Sequence, residues 1–248
     1  MSFLTARWEY LVLLNYACPA ALLEPLVPAG TMLDQWDGET LVSVVGFLFS
    51  DTRLMGVPVP FHRTFEEVNL RFYVRGPAPD FRRAVVFVRE LVPRWAIAAV
   101  ARTVYNEPYL SVPMRHRWSL GQDAGDVSYG WTYDNAEFEI GARVHGAATS
   151  LQDGTEAEFI TEHYWGYTRQ RDGRTLEYQV EHPRWRVWSA DASWFRGPAA
   201  KLYGPDFGTV LSAEPRSAFV AVGSPVAVHH GRALDQETGN RKQDTGSR

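Results

Sequence analysis

The sequence predicts an α+β chain that is predominantly β, with a mostly antiparallel, barrel-like sheet and a few short helices. Three observations lead to this prediction. Residues 40–49 form an almost continuous run of apolar and β-branched side chains, as expected for a strand covered on both faces. Residues 68–74 alternate strictly between polar and apolar side chains, which is the period of a strand. After Arg115 the chain is rich in aromatic and β-branched residues and is divided by the turn dipeptides Asp153-Gly154 and Asp172-Gly173, which is typical of hairpins.

The strands are predicted in order along the chain from composition and alternation. A third apolar run, at residues 83–91, follows the first two. A meander of strands is then predicted at residues 115–120, 127–133, 138–145, 158–169, 174–180, 186–190 and 217–222. Because tight turns join most neighbours, we expect antiparallel pairing and a closed or nearly closed sheet.

Helices are predicted at two places. The alanines and apolar spacing of residues 94–106 favour a helix that ends before Pro108, and a shorter helix is predicted at residues 20–26. No repeat, linker or sharp change in composition divides the chain, so a single domain is predicted at residues 1–233. Residues 234–248 lack aromatic side chains and nearly all apolar ones, which predicts a polar, disordered tail.

Composition and charge narrow the functional classes. The formal net charge of −4 and the pI near 6.0 disfavour a nucleic-acid partner, which usually requires a basic surface. The single cysteine, Cys18, cannot form an internal disulfide that would indicate an oxidising compartment. The apolar stretch at residues 11–14 is too short for a signal sequence or a membrane span. We therefore expect a cytoplasmic protein with no membrane partner. The sequence does not decide whether it is a monomer or a homo-oligomer.

Cofactor and metal motifs are not found in the sequence. The seven histidines are scattered, and none forms the spaced pair with a nearby carboxylate that marks a zinc helix. There is also no phosphate loop, dinucleotide fingerprint or nucleophile elbow. His163 and His182 lie in aromatic-rich segments and are candidates either for acid–base groups or for buried structural histidines. The sequence predicts neither a cofactor nor a metal, and the histidine content keeps metal-assisted hydrolysis as a minor hypothesis.

The first candidate site is a polar stripe along one predicted strand. Glu67, Asn69 and Arg71 lie on the same face, with roughly 6.6 Å between successive side chains. If this face points inward, Glu67 and Arg71 bracket a small polar ligand with Asn69 between them. A solvated face or a structural ion pair explains the same alternation equally well.

The second candidate site surrounds the end of the predicted helix. Arg102, Glu107 and Tyr109 lie close together in sequence, and Pro108 fixes the turn. A buried Glu107 requires a cation or hydrogen-bond donors, and Arg102 is the nearest arginine in sequence. On spacing alone, a helix end held by an arginine is the favoured interpretation.

Three blocks of sequence, at residues 26–49, 65–75 and 85–109, resemble a known bacterial family. They are similar to the YqjF-like family of unknown function, which is allied to the acetoacetate decarboxylase-like superfamily. The resemblance covers about residues 5–230. It implies a mostly antiparallel barrel-like sheet with a few helices, enclosing a pocket for a small oxo acid, which agrees with the sheet predicted from the pattern.

The resemblance also implies a departure from the chemistry of the decarboxylases. Their pattern Gly-Arg-Glu-x-x-Gly-x-Pro-Lys-Lys carries a lysine that forms a Schiff base with the substrate ketone. The corresponding segment here keeps Arg102 and Pro108 but has Tyr109 and Leu110 in place of the two lysines. A phenol cannot form an imine, so the resemblance implies that the nucleophile is missing.

Two lysines and two glutamates elsewhere in the chain also bear on this resemblance. The chain's two lysines, Lys201 and Lys242, lie far from this segment in sequence. The superfamily's acidic residue, which follows an aromatic residue on an earlier strand, is matched by Glu67, with Glu66 as the alternative one residue earlier.

These observations predict a protein that holds a small organic acid or carbonyl compound in an internal pocket and forms no imine. The predicted ligand-binding residues are Asn69, Arg71, Arg102 and Glu107. The arginines would hold a carboxylate, since a guanidinium matches it with two hydrogen bonds. If a reaction is catalysed, Glu67 is the predicted base and Tyr109 the predicted acid of a lysine-free lyase or isomerase. The alternative is a non-catalytic binding or structural domain in which the stripe forms a buried polar network.

Overall fold

Strands dominate the computed structural model, which describes residues 2–60, 62–94, 106–120 and 124–234. Within these residues the strands are β1 (Leu4–Ala17), β2 (Met32–Leu33), β3 (Leu41–Leu54), β4 (Val57–Pro58), β5 (Phe65–Arg75), β6 (Arg83–Val92), β7 (Tyr109–Ser111), β8 (Met114–Leu120), β9 (Ala124–Tyr133), β10 (Ala136–His145), β11 (Thr149–Ser150), β12 (Trp165–Arg169), β13 (Thr175–Glu181), β14 (Arg186–Arg196), β15 (Ser217–Val228) and β16 (Arg232–Ala233). The helices are α1 (Ala20–Leu23), a 3-10 helix (Glu24–Leu26), α2 (Glu156–Thr161), α3 (Ala199–Tyr203) and α4 (Pro205–Leu211). None of these helices is long and apolar enough to cross a membrane.

Seven strands close into a barrel in the order β13–β12–β6–β5–β3–β1–β15, because β15 pairs with both β1 and β13. All neighbours in this ring are antiparallel except the parallel pair β6–β12. β14 runs beside β15 and continues into an outer layer with β10, β9 and β8. The predicted fold class, a mostly antiparallel barrel-like sheet with a few short helices, is therefore confirmed.

Alternation along the barrel strands separates two hydrophobic cores. On β5, Val68, Leu70 and Phe72 face a core that they share with Trp131 of the outer layer. The other face of β5 points into the barrel, where apolar side chains such as Phe47 form the second core. Because side chains on a strand alternate between its faces, the polar stripe on β5 lies inside the barrel.

Several predicted elements are confirmed and one is wrong in part. The strands predicted at residues 40–49, 68–74 and 83–91 correspond to β3, β5 and β6, and the short helix at residues 20–26 corresponds to α1 and the 3-10 helix. The strand predicted at residues 158–169 begins instead as α2, and β12 follows only at Trp165. The helix forms because Thr155 caps it, its side chain accepting a hydrogen bond from the Glu158 backbone N–H.

Some strands and helices of the structure were not predicted, and some predicted segments lie outside the described residues. β1, α3 and α4 were not predicted from the pattern. Asp153-Gly154 precedes α2 rather than forming a hairpin, whereas Asp172-Gly173 does join β12 to β13. The helix predicted at residues 94–106 lies almost wholly outside the described residues, and so does the predicted tail beyond Leu234.

Candidate functional site

The interior of the barrel contains a cavity of about 250 Å³. Its buried polar lining consists of Thr52, Glu67, Arg71, Glu90, Glu107, Thr161, His163 and Tyr178. Aromatic side chains, among them Trp8, Phe65, Phe87, Trp165 and Trp185, line much of the rest. A concave, mostly apolar cavity with a few convergent polar groups is the usual form of a small-molecule site.

β5 carries the polar stripe along one wall of this cavity. Glu67, Asn69 and Arg71 are 3%, 2% and 8% exposed, so the stripe points into the barrel rather than into solvent. Asn69 Nδ2 donates a hydrogen bond to Glu67 Oε1 over 3.0 Å. Arg71 Nη2 donates to the carbonyl oxygen of Ile160 over 3.2 Å. The Arg71 Nε group is buried and has no hydrogen-bond partner within the described part of the chain.

β7 brings Tyr109 beside the carboxyl groups of β5 and β6. It pairs with β6 in parallel, with Tyr109 opposite Glu90. The Tyr109 hydroxyl donates to Glu67 Oε2 over 3.1 Å. Glu90 lies opposite Asn69 across the β5–β6 pair and is also within hydrogen-bonding reach of Tyr109. The phenol therefore lies between two buried carboxyl groups.

Glu107, just before β7, adds a third buried carboxyl group to this region. The Tyr178 hydroxyl on β13 donates to Glu107 Oε1 over 3.0 Å, and Thr168 on β12 provides a further hydrogen bond. The donors that a buried Glu107 requires thus come from β12 and β13. Arg102, the cation suggested by the sequence, lies outside the described residues, so its part in the site stays a prediction.

Burial controls the charge of these three carboxyl groups. Loss of hydration raises the pKa of Glu67 to about 7, although its hydrogen bonds and the charge of Arg71 oppose the shift. The same cause raises the pKa of Glu107 to about 8. Burial, with the charges of Glu107 and Glu67, raises the pKa of Glu90 well above its ordinary value. At neutral pH part of this cluster is protonated, so it can donate hydrogen bonds or a proton to a ligand.

His163 reaches the cavity from the segment between α2 and β12. Burial, and then the charges of Arg83 and Arg71, lowers the pKa of His163 well below its ordinary value, so the ring is neutral. The ring packs on Tyr73, with the two centroids 4.7 Å apart. Neither ring nitrogen makes a well-formed hydrogen bond with the described residues. A neutral imidazole offers one donor and one acceptor, and the Ile160 carbonyl oxygen lies within reach of the donor.

The structure brings five of the predicted site residues together. These are Glu67, Asn69, Arg71, Glu107 and Tyr109. Glu66, the alternative to Glu67, lies on the opposite face of β5 and forms an ion pair with His116 over 2.7 Å. Of the two lysines, Lys201 lies on α3, where it pairs with Asp134 over 2.8 Å, and Lys242 is outside the described residues.

Two residues of the cluster, Glu90 and Tyr178, were not found by sequence reasoning. Glu90 does carry a signal, because it is a carboxylate near the end of the apolar run at residues 83–91. Such a residue in a buried strand indicates an inward polar position. Tyr178 carries no comparable signal, since tyrosine is common in any strand.

Carboxylate and imidazole side chains, which are common metal ligands, meet in this region. Among residues 2–60, 62–94, 106–120 and 124–234, no group of three or more His, Cys, Asp and Glu side chains is arranged to hold a metal ion. The carboxyl groups of the acidic cluster contact Tyr109, Tyr178 and the side-chain amide of Asn69.

Comparisons with known proteins identify relatives in sequence. A model of the DUF2071 family, described as an uncharacterized conserved protein, matches residues 5–224. The uncharacterized protein YqjF of Bacillus subtilis (strain 168) is 27% identical over 188 residues, which is 75% of this chain and 75% of that protein.

Solved structures with a similar fold come from enzymes. An acetoacetate decarboxylase-like enzyme from Sphingomonas wittichii RW1 gives a TM-score of 0.68 at 13% identity, covering 95% of this chain and 94% of that one. The acetoacetate decarboxylase of Legionella pneumophila subsp. pneumophila str. Philadelphia 1 gives 0.64 at 13% identity, covering 93% and 87%. The enduracididine biosynthesis enzyme MppR, complexed with pyruvate, gives 0.68 at 13% identity, covering 95% and 91%. At this level of identity the likeness shows the fold alone.

Proposed function

This chain belongs to the DUF2071 family, and we propose that its barrel cavity binds a small organic acid or carbonyl compound without forming an imine. The observation that carries the proposal is Arg71, a buried guanidinium whose Nε group is unpaired beside a cluster of partly protonated carboxyl groups. A guanidinium holds a carboxylate with two charge-assisted hydrogen bonds. Support also comes from MppR, a protein of similar fold that is complexed with pyruvate, a 2-oxo acid.

The protonated carboxyl groups of the cluster favour an organic acid or carbonyl ligand over a cation. A ligand carboxylate at Arg71 faces Glu67, and two anions in a buried site repel each other strongly. Because the pKa of Glu67 is raised to about 7, the side chain can hold its proton when the anion binds and can donate it as a hydrogen bond.

Anion binding at Arg71 leads to a first prediction. We expect Arg71→Gln to weaken binding of the best ligand from a thermal-shift screen of short carboxylic acids and ketones by about 10- to 100-fold, because a charge-assisted hydrogen bond is lost. Isothermal titration calorimetry at pH 6.5 measures the change. Arg63→Gln is the matched control, since Arg63 is an exposed arginine that pairs with Asp51 on the surface. Equal affinity in the parent and in Arg71→Gln would show that the anion does not bind there.

Near pH 7 Glu67 is present in both forms: the protonated form donates to the bound anion, and the ionised form can act as the base for proton transfer next to the ligand's carbonyl, with Tyr109 as the acid. A base whose pKa is near the working pH accepts a proton most effectively. Burial, with the charges of Glu67 and Glu90, raises the pKa of Tyr109 well above its ordinary value, so its hydroxyl keeps its proton. Lys201 takes no part in this scheme, because it lies on α3 in an ion pair with Asp134.

Lysine-free proton transfer leads to a second prediction, with two readouts on one sample. In D2O we expect the protein to exchange the methyl protons of pyruvate, followed by NMR, and Glu67→Gln to slow this exchange by about 100-fold or more. Borohydride added with the oxo acid should leave the mass of the protein unchanged. Glu66→Gln, one residue away on the outer face of β5, should exchange at the parent rate. A trapped adduct on Lys201, or equal exchange rates in Glu67→Gln and the parent, would contradict the scheme.

A further inference from the structure

We propose that Glu90 is the source of the proton that Tyr109 donates to the ligand, and that the two side chains form a proton relay inside the barrel. This inference rests on the proposed function, because it assumes that the ionised form of Glu67 removes a proton next to the ligand's carbonyl. It adds a residue to that scheme. Glu90 acts through Tyr109 and is therefore a positioning residue.

Strand pairing places the residues of the relay side by side. Glu90 on β6 lies opposite Asn69 on β5 and opposite Tyr109 on β7. Glu67, Glu90 and Tyr109 all line the cavity. The Tyr109 hydroxyl is 3.1 Å from Glu67 Oε2 and is also within hydrogen-bonding reach of Glu90. A single phenol oxygen therefore connects the two carboxyl groups.

The hydroxyl of Tyr109 carries one hydrogen atom, and this sets the direction of the relay. An ionised Glu67 can only accept a hydrogen bond, so the hydrogen of Tyr109 points to Glu67 Oε2. A lone pair of the Tyr109 oxygen then faces Glu90, and that contact is a hydrogen bond only if Glu90 is the donor. Hydroxyl groups are therefore aligned from Glu90 through Tyr109 towards Glu67.

The surroundings of Glu90 keep its proton in place. Burial, and then the charges of Glu107 and Glu67, raises the pKa of Glu90 well above its ordinary value. Glu90 Oε2 is buried and has no hydrogen-bond partner among the described residues. Ionisation would leave this oxygen charged and unpaired, which is strongly unfavourable. The titratable side chains of the described residues that act on Glu90 are those of Glu67, Glu107, Tyr109 and Tyr178.

Tyr109 is a poor acid unless it receives a second proton. Burial, with the charges of Glu67 and Glu90, raises its pKa well above the ordinary value. A phenolate at this position is therefore costly. If the proton of Glu90 arrives as the proton of Tyr109 leaves, no phenolate forms.

The proton balance of the step is complete within three side chains and the ligand. Ionised Glu67 takes a proton from the carbon next to the ligand's carbonyl, and the electron pair of the broken C–H bond forms the C=C bond of an enol. The carbonyl π bond breaks as its oxygen takes the proton of Tyr109, and Tyr109 takes the proton of Glu90. Glu67 ends protonated, Glu90 ends ionised and Tyr109 is unchanged. Reversal of the same transfers restores the oxo acid.

Exchange of the methyl protons of pyruvate in D2O, followed by NMR, measures the relay. We expect Glu90→Gln to lower the rate constant at saturating pyruvate by about 10- to 100-fold, because glutamine passes no proton to Tyr109. The affinity for pyruvate, measured by isothermal titration calorimetry, should stay within a factor of about 2. Glu66→Gln is the matched control and should exchange at the parent rate, since its side chain lies outside the barrel and pairs with His116.

Glu90→Asp separates proton supply from a structural role. Glutamine has the size of glutamate without its acid proton, whereas aspartate keeps the acid proton on a shorter side chain. If Glu90 supplies a proton, Glu90→Asp exchanges faster than Glu90→Gln. If Glu90 only fills space, the order is reversed. Glu90→Gln replaces a neutral, protonated side chain by a neutral one of the same size, so we expect the fold to be retained.

Tyr109→Phe tests whether Glu90 acts through the phenol. Because both residues belong to one relay, we expect Glu90→Gln to slow exchange by less than about 2-fold in the Tyr109→Phe background. Losses that multiply in the double variant would mean that Glu90 acts independently of Tyr109, and the relay would be wrong.

The outcomes separate the relay from the proposed function. If the parent protein exchanges the protons of pyruvate and Glu90→Gln does so at the same rate, the relay fails while lysine-free proton transfer stands. If Glu90→Asp is slower than Glu90→Gln, the role of Glu90 is structural and the relay also fails. If the parent protein does not exchange these protons, the proposed proton transfer itself fails, and the relay fails with it.

Discussion

The free energy of unfolding is expected to fall by roughly 3 kcal/mol between pH 6.5 and pH 9 from Glu67 and Glu107 alone, and Glu90 adds to this fall. Burial raises the pKa of Glu67 to about 7 and that of Glu107 to about 8 from an ordinary value of 4.5, and it raises the pKa of Glu90 well above that value. The folded protein therefore keeps protons that the unfolded chain has already released. The stability that these protons provide is complete below the unfolded pKa and is lost as the pH rises through the folded pKa values.

Urea unfolding at several pH values between 6.5 and 9 measures this fall. The window begins at pH 6.5 because His163 acts in the opposite direction below it. Burial lowers the pKa of His163, so acid protonates the unfolded chain first and destabilises the fold. A profile that stays flat or rises above pH 6.5 in the parent protein would show that the carboxyl groups are not protonated in the fold.

Glu107→Gln tests the assignment to this cluster. Glutamine keeps an oxygen that accepts the hydrogen bond of Tyr178 but cannot ionise, so we expect the fall in stability to be smaller by roughly 2 kcal/mol. Glu66→Gln is the control on β5, since its side chain is outside the barrel and pairs with His116. That variant should keep the pH profile of the parent protein.

Gly223→Ala is expected to destabilise the protein by about 3 kcal/mol, with a fall in Tm of roughly 6–12 °C. Gly223 on β15 has φ +85° and lies opposite Glu9 on β1. A Cβ atom there would be 2.0 Å from the carbonyl oxygen of Trp8. Since that oxygen belongs to the backbone of the paired strand, the clash cannot be relieved by a side-chain rotation. Scanning calorimetry measures the loss.

Gly38→Ala separates backbone strain from this clash. Gly38 also has a positive φ, of +79°, but a Cβ atom there would meet nothing within 4 Å. We expect it to cost only about 1 kcal/mol, which is the strain of the left-handed conformation alone. Equal losses in the two variants would mean that β1 and β15 separate easily at Trp8, which lines the cavity.

The fold could be predicted from the sequence where local patterns decide it. The apolar run of β3 and the alternation of β5 are properties of consecutive residues, and both were found. β1 was missed although it is central to the barrel. Tyr10 has φ +49° and the β1–β3 register shifts between Glu9 and Val12, so the alternation is broken in the middle of the strand.

The candidate site could be predicted only where its residues share one segment. Glu67, Asn69 and Arg71 were found because they lie on one strand, and Glu107 and Tyr109 because they lie together after the predicted helix. Glu90 and Tyr178 join them through the β5–β6 pairing and the closure of β13 on β15. Such pairings between distant segments leave no periodic pattern in the sequence, so neither residue could be placed beside Glu67 in advance.

The β12–β13 hairpin is joined to the rest of the barrel by few paired residues. Within the described residues, β12 is tied to β6 through two residue pairs, Trp165–Ala84 and Gly166–Val85. β13 is tied to β15 through Val180–Val228 and Glu181–Ala227 and to the short β16 through Leu176–Ala233 and Glu177–Arg232. β1, by contrast, is paired along almost its whole length on both sides. Widening the barrel therefore disrupts the fewest ladder bonds if this hairpin swings outward, carrying one wall of the cavity with it.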